Sequence, residues 1–256
     1  MSVWLQNKSF DEVVELRNKG LDTIIIPIGS TEQHGSHLPL GTDTIVAKML
    51  AEDAAKKTGI LVAPPLWFGW SPHHMVLTGT ITIRPEVLIE LLYDVINSLK
   101  DHGFKKFVVI NGHRIVNIPW MQISAERAQR LLGVKVVLFD PAYMSKEIIP
   151  QLGYGPVGHA EEIETSHMLY KHPQLVHLDK AQDNPPEKHH LYSVDPAYPG
   201  DTLCYVPSTI RDMQKSVDIA NGTTGSPSKS SPEKGELYHN YLVNNLVQVI
   251  EQLKNI

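Results

Sequence analysis

Cysteine is nearly absent from this 256-residue chain: Cys204 alone cannot close an internal disulfide, so the fold must rest on a packed core. Long apolar runs are missing too, since none approaches the roughly 18–20 residues of a spanning helix. The amino-terminal MSVWLQN lacks the charged and apolar pattern of a secretory leader. A cytoplasmic protein with no membrane partner is the expectation. Positive charge is in short supply, with 23 Lys and Arg against 28 Asp and Glu and a formal charge of −5. The basic residues are dispersed, which argues against a nucleic-acid partner. No Gly-, Ser- or Pro-rich linker divides the middle, and 42% hydrophobic residues suit one core, so residues 1–256 are expected to form a single domain.

What is present is a stretch dense in possible metal ligands. Residues 29–43, GSTEQHGSHLPLGTD, place Glu32, His34, His37 and Asp43 in a glycine-punctuated loop after the apolar run 22–28. In extended backbone Glu32 and His34 project to the same side, and Gly35 and Gly41 would let Asp43 fold back toward them. The same residues also read as a polar surface loop whose Asp caps the next helix.

The rest of the chain alternates strand and helix signals. Ser9 and Glu12 form a capping box for a first helix that Gly20 ends. Residues 24–28 read as a buried strand, 43–58 as a helix stopped by Gly59, and 61–64 as a second strand. Residues 67–80 follow neither period and read as a long loop. Pro85 opens an amphipathic helix closed by Gly103. Residues 106–110 form the clearest buried strand, 118–132 a helix, and 134–139 a further strand. This order predicts an α/β fold with a mostly parallel sheet flanked by helices on both faces, with function gathered at the carboxyl ends of its strands. Glu32 and His34 follow one such end, and His113 follows another. A third cluster, GHAEEIETS at 158–166, offers His159, Glu161, Glu162 and Glu164. On a helix Glu161 and Glu164 share a face while Glu162 turns away. An acidic first turn complementing the helix dipole accounts for Glu161 as well.

EQHG at 32–35, Asp43, NGH at 111–113 and ETS at 164–166 resemble the creatininase (creatinine amidohydrolase) family in order and spacing. The SPEKGE segment at 231–236 is similar to that family's closing helix, and His74 with Thr78-Gly-Thr80 to its HxxxPGT loop. The resemblance implies a creatininase-like α/β domain with two divalent ions, Zn, Mn or Fe. Asp43 would bridge them, Glu32 and His113 would hold one, His34 the other, and Glu164 would supply the remaining carboxylate. His159 would move a proton or orient a ligand. The implied activity is hydrolysis of a small cyclic amide, or of another non-peptide C–N bond, by a metal-bound hydroxide. The alternatives are ring opening of a polyhydroxylated, inosose-like cyclic ketone and a non-catalytic ligand-binding relative. A homo-oligomer, in its fullest form a hexamer, is implied in the same way.

The chain also departs from the pattern. Arg114 and Ile115 stand where creatininase proper has Tyr and Glu, and HAEE replaces HAGE. Tyr154 is present where a substrate-packing Trp is expected, and Asn117 lies one position late. These departures point away from creatinine itself. Arg114 reads either as a binder of carboxylate, phosphate or hydroxyl groups or as an exposed turn residue. Trp67, Trp70, His74 and Tyr154 are the other candidates for lining a substrate pocket, with core packing or subunit contact as the competing reading. Trp120 reads as core. His189 and His190 read as solvent-exposed, and Cys204 as a buried thiol.

Overall fold

The computed structural model describes residues 2–185 and 207–255. Strands β1 (Thr23–Ile28), β2 (Leu61–Val62), β3 (Lys106–Asn111) and β4 (Lys135–Phe139) form a parallel sheet in the order β2-β1-β3-β4. β1 and β3 are central and run in register from Thr23 opposite Lys106 to Ile28 opposite Asn111. Their carboxyl ends therefore lie side by side, so the loop bearing Glu32 and His34 leaves the sheet next to the one bearing His113. Every residue of β1 is buried. A strand covered on both faces tolerates that uninterrupted isoleucine run, because neither face needs polar side chains.

Nine helices surround the sheet among the described residues: α1 (Phe10–Asn18), α2 (Thr42–Thr58), α3 (Pro85–Asp101), α4 (Ile118–Leu132), short α5 (Pro141–Met144) and α6 (Ile148–Gln151), α7 (Glu162–Lys171), α8 (Ile210–Ala220) and α9 (Pro232–Lys254). The local signals act as expected. Ser9 and Glu12 complete the capping box of α1, Gly59 ends α2 in the left-handed region at φ 72°, and Ser231 caps α9 by accepting from Lys234 N–H. Alternate strand residues feed two cores. Ile25, Val108, Ile110 and Phe139 pack with α2, α7 and α9. Ile24, Ile26, Ile28, Phe107 and Val109 pack with α3 and α4. Each fully buried side chain of this kind contributes about 1.5–3 kcal/mol of transfer free energy.

Two elements differ from the reading of the sequence. β2 stops after Val62, because Pro64 and Pro65 cannot donate to a sheet ladder. The 67–80 loop is not wholly irregular, for Pro72–Val76 form a 3-10 turn. Trp120 is core at 2% exposure, as its place after Pro119 suggests. No helix among the described residues is long and apolar enough to cross a membrane. Cys204, His189 and His190 lie outside the described residues.

Candidate metal centre

Three segments converge above the carboxyl ends of β1 and β3. The loop after β1 doubles back through a Glu32 N–H bond to Leu40 O at 2.9 Å, which returns the chain to α2 with Asp43 in its first turn. The loop after β3 is tied to β1 by Gly112 N–H donating to Ile28 O at 2.7 Å. Asp140, just after β4, then clamps it: its carboxylate accepts from Asn111 Nδ2 at 2.8 Å, Ile115 N–H at 2.8 Å and Ala142 N–H at 2.9 Å. Ile115 sits at φ 68°, a costly conformation for a β-branched residue, and the Asp140 bond to its N–H is what holds it there. The third segment is the start of α7. Its approach to the first loop is fixed by His37 Nε2, 3.1 Å from Ala160 O and 3.0 Å from Thr165 Oγ1.

At the convergence Asp43 turns one oxygen to each of two histidines. Oδ1 lies 3.1 Å from His34 Nε2, and Oδ2 lies 3.0 Å from His113 Nδ1. Glu32 Oε1 is 3.3 Å from the same His113 nitrogen, and Glu164 Oε2 is 3.8 Å from His34 Nε2. The ligand atoms of Glu32, Asp43 and His113 all lie within 4.8 Å of one another, as do those of His34, His159 and Glu164. Glu32, His74 and His159 form a third such trio, which shares Glu32 with the first and His159 with the second.

The electrostatics follow from this crowding. Burial opposes a charge on His34, but the Asp43 carboxylate overrides it and lifts the imidazole to about 10. His113 rises well above the ordinary histidine range against the same opposition, through Glu32 and Asp43. Burial likewise works against the anions of Asp43 and Glu32, yet His34 and His113 hold Asp43 low and His113 holds Glu32 low. His159 goes the other way: burial, reinforced by the charge on His34, lowers it to about 4.

Do these residues suit divalent cations? Glu32 Oε1 and Asp43 Oδ2 are buried acceptors at which no donor hydrogen is aimed, although imidazole nitrogens stand beside them. Carboxylate oxygens crowded against imidazole nitrogens this way are what a divalent cation joins, displacing the ring protons as it binds. The outer contacts agree. His34 Nδ1 is 3.1 Å from the carbonyl two residues back, Glu32 O, leaving Nε2 toward Asp43. Carboxylates with neutral imidazoles suit Zn, Mn or Fe.

Several candidates are placed differently from the sequence reading. Arg114 is not an exposed turn residue. It is buried, and Nη2 reaches Glu161 Oε1 at 2.7 Å and Glu164 Oε1 at 2.6 Å, because those carboxylates offer the charge partners that a buried guanidinium requires. Tyr154 lies in the core, edge-on to Tyr238 with ring centroids 6.3 Å apart. His74 is buried as well. Its Nδ1 lies 2.8 Å from Gln33 Nε2, which donates to it, so Nε2 turns to Glu32 Oε1 at 3.3 Å. Trp67 and Trp70 remain over a third exposed, at 38% and 37%. Glu161 is the N-cap of α7 rather than part of its first turn, and burial raises its carboxyl to about 8. Glu162 does turn away, accepting from Gly155 N–H and Ser226 N–H. Three contributors had no signal of their own. They are Gln33, which orients His74; Ser71, whose hydroxyl donates to Glu32 Oε2; and Asp140.

The family model described as creatinine amidohydrolase matches residues 6–250. The chain belongs to the creatininase family. It is 34% identical over 194 residues to a 3-dehydro-scyllo-inosose hydrolase of Thermotoga maritima, a match covering 72% of this chain and 61% of that relative. Thus the match takes in less than two thirds of the inosose hydrolase. It is 28% identical over 248 residues to the creatinine amidohydrolase of Pseudomonas putida, covering 90% of this chain and 88% of that one. A mutant creatininase of the Zn-Zn type superposes with a TM-score of 0.81 at 28% identity, covering 99% of both chains. The creatininase fold is thereby established, the named relatives are hydrolases, and metal dependence fits both the family and the clusters above.

Proposed function

We propose that the chain is a two-ion hydrolase that opens a small cyclic amide, or cleaves a comparable non-peptide C–N bond. The observation that carries this reading is the split carboxylate of Asp43, one oxygen toward His34 and the other toward His113. Glu32, His113 and Asp43 would hold one ion, and His34, Glu164 and Asp43 the other. Divalent ions at such a pair of sites acidify water and polarise a carbonyl.

The protein's own groups supply the proton handling. His159 Nε2 donates to Gln33 O at 2.5 Å, which leaves Nδ1 with its lone pair on the side of Glu32 Oε1, 3.7 Å away. An imidazole held near 4 is neutral at pH 7, so Nδ1 can take a proton from water and return it to the leaving nitrogen. His74, stacked on His159 with centroids 4.1 Å apart, keeps that ring from turning and steadies Glu32 from the other side. Trp67 and Trp70 offer flat apolar faces for a ring at the rim.

A second reading, ring opening of a polyhydroxylated cyclic ketone, is favoured by the 34% identity to the inosose hydrolase. There the returned proton would go to carbon instead of nitrogen. Metal content per chain, followed by turnover of cyclic amides and polyhydroxylated cyclic ketones, separates the readings. Near two ions per chain with ammonia-free opening of a cyclic amide is the expected result. Opening of the ketone alone would replace the substrate and keep the site, whereas a chain that takes up no metal would overturn both readings. The substrate is expected to be a small molecule, and assembly as a homo-oligomer remains part of this proposal.

A further inference from the structure

Two of this chain's departures from the creatininase motifs touch each other. Arg114 follows the NGH segment, and Glu161 replaces the Gly of HAG, 47 residues later; the guanidinium Nη2 lies 2.7 Å from Glu161 Oε1 and 3.0 Å from Oε2. The same Nη2 is 2.6 Å from Glu164 Oε1. Glu164 is held at its other oxygen too, since Oε2 accepts from Ala160 N–H at 2.7 Å and faces His34 Nε2 at 3.8 Å. All three side chains are more than nine-tenths buried.

We propose that Arg114 and Glu161 form a positioning pair for the His34–Glu164 ion. This inference rests on the two-ion reading. Arg114 fixes Glu164 by one oxygen, so that only Oε2 is free to turn toward His34. A carboxylate with both oxygens unrestrained would sample rotamers that miss the ion, and a guanidinium free to swing would not hold it. Glu161 fixes the guanidinium from its other side, with Nη2 2.7 Å from Oε1 and 3.0 Å from Oε2, and so keeps Arg114 aimed at Glu164 Oε1. The pair leaves the Glu32–His113 ion untouched, because neither residue contacts Glu32 or Asp43 in the hydrogen bonds and ion pairs of Arg114 and Glu161. The two ions should therefore respond unequally.

The test is stepwise metal titration of the metal-free protein by calorimetry, with ion content measured after dialysis. It uses Mn and then Zn as the probe metals, on the wild type and two variants. Glu161→Gln keeps volume and replaces one of the two oxygens beside Arg114 with an amide NH2 that cannot accept from it. The double variant Arg114→Met with Glu161→Leu removes the pair with apolar groups of similar size, an exchange that buried ion pairs often tolerate without loss of folding. In both, one of the two ions should lose about 10–100-fold in affinity, as when groups that orient a ligand are removed, while the other changes less than about twofold. Circular dichroism confirms that each variant is folded. Folded variants that bind both ions like the wild type, or lose both to the same degree, would overturn the proposal. A wild-type chain that takes fewer than two ions would instead overturn the two-ion reading itself, an outcome distinct from the first because it appears before any substitution is made.

Discussion

Asp43→Asn keeps the shape of the side chain and removes the one charge that both histidines share. In the metal-free protein an imidazole held near 10 instead of 6.5 corresponds to about 5 kcal/mol of favourable interaction for His34. Taking away one partner of a buried ion pair costs about 3–5 kcal/mol. For a chain of this size such a loss lowers Tm by roughly 6–20 °C. The pH dependence has a definite sign. The raised His34 contributes stability that is complete below the unfolded value of 6.5 and disappears as pH climbs through about 10. The depressed Asp43 carboxyl contributes above its unfolded value of 3.8 and loses that contribution as pH falls. The gap in Tm between wild type and variant, measured by calorimetry in chelator, should be wide at pH 6 and narrow by about pH 10.5. With metal supplied, the variant should lose both ions and activity together, since each donor set is reduced at once. An Asp43→Asn protein that keeps two full equivalents of metal would refute the shared-carboxylate argument, and a Tm gap that does not shrink at alkaline pH would refute the electrostatic one.

The remaining expectations are simpler. His159→Ala should keep its metal while kcat falls by about 10²–10⁴-fold, read by ion content and steady-state kinetics side by side; unchanged kcat would end its proton-transfer role. His74→Ala should weaken metal binding by about 10–100-fold through loss of the contact to Glu32 Oε1, measured by competition with a chromogenic chelator, and an unaltered affinity would show that Glu32 needs no such support. Gly112→Ala should destabilise by several kcal/mol, because an added Cβ would stand 2.0 Å from the Asp43 backbone carbonyl and neither β3 nor α2 can yield. A thermal melt within about 2 °C of wild type would contradict that packing.

Much of this architecture is written in short-range chemistry. The β-branched run of β1, the capping box at Ser9, the stop at Gly59 and the prolines opening α3 and α9 are local signals, and the elements lie where those signals put them. The meeting of Glu32, His34 and His113 was also readable, because parallel strands place their following loops on one edge. What could not be read is who pairs with whom across that edge. Arg114 looked free because its two carboxylate partners lie on a distant segment, and Tyr154 looked available because nothing near it in sequence announces Tyr238. Gln33 and Ser71 carry no periodicity or charge that would mark them as supports, yet the orientation of His74 and Glu32 depends on them.

The ligands are spread along the chain in an order that bears on how the protein is made. Glu32, His34, Asp43 and His113 all precede α4, whereas Glu164 belongs to α7. During synthesis at about 5–20 residues per second, roughly 3–10 s separate the appearance of His113 from that of Glu164. On the two-ion reading, the growing polypeptide carries throughout that interval the side chains of one donor set and still lacks the Glu164 carboxylate of the other. A chain cut short before α7 would then be half-equipped, with Glu32, Asp43 and His113 present and their counterpart set incomplete.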